Sequence, residues 1–210
     1  MFRFLRALSM RKILIGCFLL LTAIPVLADA DQPIEALRKN VEEGLRILKD
    51  PEFKSADRKE AQQQKLRIIL EQVFDFREFS KRVLASHWQD FTPAQRKTFV
   101  AEFSDFLSRF YLGQIQKRYK DETLIYVEQQ LTSSARAQVD VRVVWKGQKI
   151  PVDLLMIKRK GMWKVYDIRF LGFSAIRYYR AQFQFILRKE TPAQVIQRLK
   201  MKTEQLEKKD

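Results

Sequence analysis

The chain has 210 residues, of which 46% are hydrophobic and 31% charged, with only six residues each of Gly and Pro. This balance excludes a disordered chain, a collagen-like or low-complexity chain and a multi-span membrane protein. Lys and Arg outnumber Asp and Glu by 40 to 25, and the resulting net charge of +15 predicts attraction to anionic surfaces.

Residues 1–28 have the layout of a secretory signal peptide, in which four basic residues precede an apolar run of 15 residues from Ile13 to Leu27. Small residues at Ala28 and Ala30 offer two cleavage sites, between which the sequence does not decide. The run is shorter than the roughly 20 residues of a membrane span, although an uncleaved anchor is an alternative. Cleavage after Ala28 would lower the net charge from +15 to +11, because four positive and no negative charges are removed.

A lipoprotein signal is a second alternative, since Leu14-Ile15-Gly16-Cys17 resembles a lipoprotein processing box. The apolar run continues for ten residues beyond Cys17, whereas a lipidated cysteine should close such a run. A cleaved signal peptide is therefore favoured. The exported domain, residues 29–210, would then contain no cysteine, and its stability must come from packing.

The spacing of apolar residues predicts three helices at the start of this domain, over 33–49, 56–73 and from about Phe74 to Trp88. The capping box Thr92-Pro93-Ala94-Gln95 predicts a long fourth helix that reaches about Tyr119. After the strands, Ser174 begins a helix to about Arg188, and a second capping box at Thr191–Gln194 opens the last helix.

From Leu124 the hydrophobic period changes to two, which predicts strands that are buried on one face. Four strands joined by tight turns are expected, over 124–131, 139–145, 150–156 and 162–170. Helices, then an antiparallel meander, then helices predict an α+β domain with helices packed on a strongly curved four-stranded sheet. No Pro-, Gly- or Ser-rich linker divides residues 29–210, so a single domain is expected.

The sequence offers no catalytic constellation. His87 and Cys17 are the single residues of their types, which excludes mechanisms that need two histidines or a cysteine cluster, and no standard Gly-rich phosphate loop occurs. Asp140, Asp153 and Asp167 lie on successive strands but alternate with apolar residues, so we expect them on the solvent face rather than in a catalytic pocket. Neither an enzyme nor a metal site is predicted.

Aromatic residues are concentrated in one region, since eight of the 16 Phe lie between residues 74 and 110. On the long fourth helix, a stripe recurs at intervals of four, three and four residues: Phe99, Phe103, Phe106 and Phe110. Such a stripe is compatible with an ordinary core. It is equally compatible with an apolar ligand pocket that the sheet does not fully close, and composition alone does not separate the two.

Several short motifs follow one another between about residues 35 and 200. They are Phe74-Asp75-Phe76 through Val83-Leu84 and Trp88, Thr92 to Arg96 with Phe99 and Phe103, Gly147 to Asp153, Trp163 to Asp167, Gly172 to Ser174, and Tyr179 to Phe183. Each motif is weak alone, but the ordered set resembles the MlaC family, also called the toluene-tolerance auxiliary family.

The resemblance implies a periplasmic phospholipid carrier of Gram-negative bacteria that maintains the lipid asymmetry of the outer membrane. Its implied partners are an outer-membrane lipoprotein–porin complex and an inner-membrane ABC transporter whose periplasmic ring carries MCE domains. The implied fold is similar to nuclear transport factor 2, with acyl chains held in an apolar pocket between helices and sheet. No cofactor is implied, because the phospholipid is cargo, and we expect a monomer.

Strand alternation adds candidate pocket residues opposite the Phe stripe, namely Val141, Val143, Leu154, Val165 and Tyr166. If the alternation were displaced by one residue, the other set of strand side chains would face the pocket. The hairpin tip Lys158-Arg159-Lys160 concentrates three positive charges and is either a solvated turn or an electrostatic guide toward anionic headgroups or acidic partners.

Two functions of other classes remain as alternatives, a ligand-free periplasmic interaction module and a small hydrolase or isomerase on the same fold. Nucleic-acid binding fits the charge but not the export signal.

Overall fold

The structure, a computed structural model, describes residues 32–208, so the predicted signal peptide lies outside the described residues. Within them the chain forms six α-helices: α1 (Pro33–Lys49), α2 (Lys59–Val73), α3 (Phe76–Leu84), α4 (Pro93–Arg118), α5 (Ala175–Leu187) and α6 (Pro192–Glu207). It also forms five strands: β1 (Thr123–Ser133), β2 (Arg136–Trp145), β3 (Gln148–Arg159), β4 (Met162–Phe170) and β5 (Phe173–Ser174). No helix in this part of the chain is long and apolar enough to cross a membrane.

The predicted capping boxes are present at the starts of α4 and α6. The Thr92 hydroxyl accepts the Gln95 N–H at 3.2 Å, and the Gln95 side chain accepts the Thr92 N–H at 2.9 Å. Thr191 and Gln194 make the same reciprocal pair. Helix α3 ends earlier than predicted, because Ala85 has a φ of 51° and the chain continues as a 3₁₀ turn to Asp90.

The strands form one antiparallel meander in the order β1-β2-β3-β4-β5. The predicted α+β class is therefore confirmed, but the sheet has five strands rather than four. The additional strand is short and arises because Leu171 and Gly172, with φ of 50° and 80°, reverse the chain tightly enough for Phe173 and Ser174 to pair with β4.

A register shift divides β4 into two parts. Met156 of β3 pairs with Val165, whereas the preceding Leu155 pairs with Asp167, so Tyr166 has no partner on β3. Because directly opposed residues share a face, Val165 faces the helices with Met156, and Asp167 lies on the other face with Leu155.

Asp167 is buried, with 4% of its surface exposed, so the expectation that it lies on the solvent face is wrong. Its carboxylate accepts a hydrogen bond from the Ser174 hydroxyl at 2.7 Å and another from the Ile176 N–H at 3.0 Å. The Ser174 hydroxyl in turn accepts the Arg177 N–H at 3.1 Å. Asp167 therefore fixes the first turn of α5 to the sheet, which is a structural role.

The main core lies between the helices and one face of the sheet. It contains Phe79, Phe99 and Phe103 from the helices together with Val139 and Met156 from the strands. Helices α1, α2, α3 and α5 contact the sheet, whereas α4 packs against α2, α3 and α6. In the C-terminal half of α4, Phe106 and Phe110 face α5 and α6, whereas Leu112 packs with residues of α1 and α2 in a second, smaller core.

Candidate functional site

An apolar cleft of about 190 Å³ lies between α4, α5 and α6. Aromatic side chains dominate its walls. Those from α4 are Phe103, Phe106, Phe110 and Tyr111, and those from α5 are Tyr178, Tyr179 and Phe183. Gln182, Ile186, Val195, Arg198, Leu199 and Lys202 complete the lining.

The floor of the cleft is rigidly packed. Phe103, which is 1% exposed, meets Phe183 edge-on with ring centroids 5.1 Å apart and Tyr179 edge-on at 5.3 Å. Edge-to-face contacts of this kind add to the burial energy of the rings. The floor is therefore part of the protein core.

The mouth of the cleft is lined by aromatic rings that are open to solvent. Phe106 stacks on Phe110 with their planes inclined by 15°, and Phe110 is 38% exposed. Tyr111 and Tyr178 are more exposed still. A cleft that is dry at its base and apolar at its rim is suited to a hydrocarbon chain.

A hydrogen bond joins the α4 and α5 walls, between the hydroxyl groups of Tyr111 at the rim and Tyr179 at the floor, at 3.0 Å. Burial raises the pKa of Tyr179 well above its ordinary value, and the bond to Tyr111 raises it further. Its hydroxyl therefore stays neutral at physiological pH.

Positive charge lies at the α6 edge of the cleft. Arg198 is paired with Glu190, and this hydrogen bond lowers the pKa of the carboxyl below its ordinary value. Lys202 is exposed and has no side-chain partner among residues 32–208. An anionic group held at this edge would meet Lys202 directly, while an apolar chain entered the cleft.

The predicted lining residues are distributed over two regions. Phe103, Phe106 and Phe110 line the cleft, whereas Phe99 lies in the core against Phe91 and Phe183. The strand residues are away from the cleft. Val141, Leu154 and Val165 are buried in the main core, Val143 is half-buried beside it, and Tyr166 lies under the guanidinium of Arg82 at 4.4 Å.

The hairpin tip is partly neutralised by helix α3. Arg159 Nε lies 2.8 Å from the Asp75 carboxylate, and the other end of its guanidinium bonds to Glu78. Asp75 also caps α3, since its side chain accepts the Glu78 N–H at 2.9 Å. Arg159 therefore ties the β3–β4 hairpin to α3, and Lys160 is left as the exposed charge at the turn.

Sequence reasoning missed the α5 wall of the cleft. Tyr178, Tyr179, Gln182, Phe183 and Ile186 recur at helical spacing, and this signal could have identified α5 as a helix with an aromatic face. Periodicity does not predict that this face packs against α4, because that contact depends on the tertiary structure.

Among residues 32–208 no three side chains of His, Cys, Asp or Glu come together as a metal site. The His87 Nδ1 lies 2.8 Å from an Asp90 oxygen, near the protein surface. The cleft itself contains hydrophobic, hydroxyl and cationic groups. No carboxylate or imidazole occurs among the lining residues that the structure describes.

Comparison with known proteins agrees with this architecture. The family profile described as MlaC protein matches residues 38–201. A solved structure of a phospholipid-binding protein from Ralstonia solanacearum, in complex with a phospholipid, has 23% sequence identity and a TM-score of 0.69. The match covers 85% of this chain and 99% of the Ralstonia chain, and it shows the same fold. The chain belongs to the MlaC family.

Proposed function

We propose that this protein is a periplasmic carrier that binds phospholipid in the cleft between α4, α5 and α6. The observation that carries the proposal is the aromatic cleft, with its buried neutral floor, its exposed apolar rim and Lys202 at its edge. Membership of the MlaC family supports it, as does the phospholipid bound by the Ralstonia protein of the same fold.

The need for such a carrier follows from the cost of exposing lipid to water. Each methylene group costs about 0.8 kcal/mol, so an acyl chain of about 15 methylenes costs roughly 12 kcal/mol. Unassisted transfer across an aqueous compartment is correspondingly slow. A carrier has to compensate this cost without greatly exceeding it, because otherwise the lipid would not be released.

The cleft must widen to accept its cargo. Its volume of about 190 Å³ is below the range of about 300–1,000 Å³ that is usual for ligand pockets. The side chains free to move are those of the rim, Phe106, Phe110, Tyr111 and Tyr178, whereas Phe103 and Phe183 are fixed by core packing. Lipid entry is therefore expected to separate the rims of α4 and α5 and to break the bond between Tyr111 and Tyr179.

Membership of the family and the predicted signal peptide support a proposal for the cellular role. We propose export to the periplasm with cleavage after Ala28 or Ala30, and exchange of lipid with the MCE ring of an inner-membrane ABC transporter and with an outer-membrane lipoprotein–porin complex. The carrier acts as a monomer and needs no cofactor or chemical step, and the partner ATPase supplies any energy that the exchange consumes.

Mass spectrometry of the protein purified from the periplasm, first under native conditions and then on its organic extract, tests this proposal. We expect close to one phospholipid per chain. Phe110→Asp places a charge at the cleft rim and should remove the lipid. The matched control is Phe185→Asp, which introduces the same charge on α5 at a residue that is 61% exposed and lies outside the cleft. This variant should retain the lipid.

Lipid-free wild-type protein would contradict the proposal and favour an interaction module. Equal lipid content in the folded Phe110→Asp and Phe185→Asp variants would place the cargo elsewhere in the molecule.

A further inference from the structure

Three tight turns of the sheet share one geometry but differ in one residue. Lys146-Gly147, Lys160-Gly161 and Leu171-Gly172 each have positive φ at both positions, with values of 49° and 75°, 50° and 79°, and 50° and 80°. This conformation favours Gly, Asn and Asp and is unfavourable for a bulky apolar side chain. Two turns carry a lysine there, which is solvated, whereas the β4–β5 turn carries a leucine that is 55% exposed.

The residues beside this leucine are also exposed and apolar. Phe170 and Phe173 are cross-strand partners, so their rings project from the same face of the hairpin, and they are 48% and 80% exposed. One large apolar side chain of the two-residue turn and the two that flank it therefore protrude together. A contiguous exposed apolar patch of this kind indicates an interaction surface.

The turn leads directly into α5, whose side chains form one wall of the cleft. Phe173 lies two residues before α5, and Tyr178 in the first turns of α5 is part of the cleft rim. The Tyr178 ring contacts that of Tyr179 at 5.1 Å, and Tyr179 is bonded to Tyr111 across the cleft. Only Ser174 to Arg177 separate the exposed ring of Phe173 from Tyr178 at the rim of the proposed lipid site.

Positive charge flanks the apolar tip. Arg169 precedes the turn and Arg177 follows it, and neither guanidinium has a partner among residues 32–208. Asp153 of β3 lies opposite Arg169 on the sheet without forming an ion pair with it, and Asp167 is occupied by its bonds to Ser174 and Ile176. An apolar aromatic tip between free arginines matches the interface of an anionic bilayer, where rings enter the headgroup region and guanidinium groups bind phosphates.

We propose that the β4–β5 turn docks the protein on an anionic lipid bilayer, with Phe170, Leu171 and Phe173 in the interface and Arg169 and Arg177 on the phosphates. The proposal rests on the proposed function in one respect, since it places the bilayer beside the cleft through which lipid would enter. Docking itself does not require cargo.

The test is flotation of the purified protein with vesicles of phosphatidylethanolamine containing a minority of phosphatidylglycerol. Leu171→Asn, alone and with Phe173→Ser, removes the apolar tip without changing charge. Asn-Gly is a favourable sequence for this turn, so the variant should fold at least as well as the wild type. The matched control is Met162→Ser, which removes an exposed apolar residue at the equivalent position after Gly161.

We expect the double variant to lower the vesicle partition coefficient by about tenfold or more, and Met162→Ser to leave it within about twofold of wild type. Arg169→Gln with Arg177→Gln should lower it on these vesicles but leave binding to pure phosphatidylcholine vesicles unchanged. Wild-type protein that fails to float, or turn variants that float like wild type, would overturn the proposal, and a protein partner would then be the occupant of the turn.

Lipid content measured by mass spectrometry on the same samples separates this proposal from the carrier function. Turn variants that retain phospholipid but no longer float support docking by the turn. Lipid-free wild-type protein that floats would contradict the carrier function while leaving the docking proposal standing.

Discussion

The two halves of helix α4 share one continuous aromatic stripe but have different roles, since one half forms core and the other lines the cleft. In the N-terminal half, Phe99 and Phe103 are at most 1% exposed and are enclosed by other rings. In the C-terminal half, Phe106 and Phe110 stack on each other and face an open cleft. Spacing along a helix determines which residues share a face, but the neighbouring helices determine whether that face becomes core or binding site.

The largest expected effect comes from the core half of the stripe. Phe99→Ala removes a ring that contacts Phe91, Phe103 and Phe183, and we expect it to lower the free energy of unfolding by about 3–5 kcal/mol. Urea denaturation followed by circular dichroism measures this. A loss below about 1 kcal/mol would mean that the two halves of α4 are not energetically distinct.

The same contrast between enclosed and open side chains recurs at the basic hairpin tip. Arg159→Gln removes one partner from each of the Asp75 and Glu78 carboxylates, whose side chains are 9% and 11% exposed, while Glu78 keeps its ion pair with Arg82. Because Arg159 itself is half exposed, we expect a loss of about 1–2 kcal/mol rather than the full cost of breaking a buried pair. Lys160→Gln should change stability by less than about 0.5 kcal/mol.

Chemical denaturation of both variants at low and high salt checks this prediction. Equal effects of Arg159→Gln and Lys160→Gln would show that the contacts of Arg159 with α3 contribute nothing to stability.

Two buried tyrosine hydroxyls extend the comparison to polar groups. The Tyr179 hydroxyl is bonded to Tyr111, whereas the Tyr126 hydroxyl has no hydrogen-bond partner among the described residues. Tyr126→Phe removes this unpaired group, so we expect it to raise the free energy of unfolding by about 0.5–1 kcal/mol. Tyr179→Phe should lower it, because Tyr111 loses its partner.

Tyr126 also predicts that the folded protein loses stability at alkaline pH. Burial raises the pKa of Tyr126 from its ordinary value of 10 to about 12, so the folded state holds a proton that the unfolded state releases. Stability from this group is complete below pH 10 and is lost as the pH rises toward about 12. Thermal melts across this range should show a smaller loss for Tyr126→Phe than for wild type, and identical slopes would contradict the assignment.

The smallest effect on stability is expected in the open half of the stripe. Phe110→Ala removes a ring at the cleft mouth, and we expect it to cost less than about 1 kcal/mol. Transfer of a fluorescent phospholipid from the protein to acceptor vesicles should nevertheless become faster, since less apolar surface holds the chain. Unchanged transfer together with unchanged stability would place lipid outside this cleft.

The sequence was a good guide wherever a local rule applied. The capping boxes at Thr92 and Thr191 locate the starts of α4 and α6, and alternation through Val139 and Val141 identifies β2 and its buried face. The cleft was only half predictable. Its α4 wall follows from the spacing of Phe106 and Phe110, but its other walls depend on how α5 and α6 return to α4 after the sheet.

Two local irregularities explain most of what alternation could not predict. Because of the register shift at Tyr166, Asp167 lies on the face opposite Val165, although a strict period of two would place these two residues on the same face. The turn at Leu171 adds a fifth strand because a leucine occupies a left-handed position that sequence rules assign to Gly or Asn. Both depend on tertiary contacts, including those of Asp167 with the start of α5.

The order of the elements along the chain has a consequence for folding kinetics. Among the helices of residues 32–208, α4 and α6 make the most extensive mutual contact, yet the whole sheet and α5 lie between them in sequence. The meander, with its two-residue turns, closes only short loops, whereas contact between α4 and α6 closes one that includes every strand. We therefore expect the sheet to form early and α6 to dock late, so that the chain acquires its cleft at the end of folding.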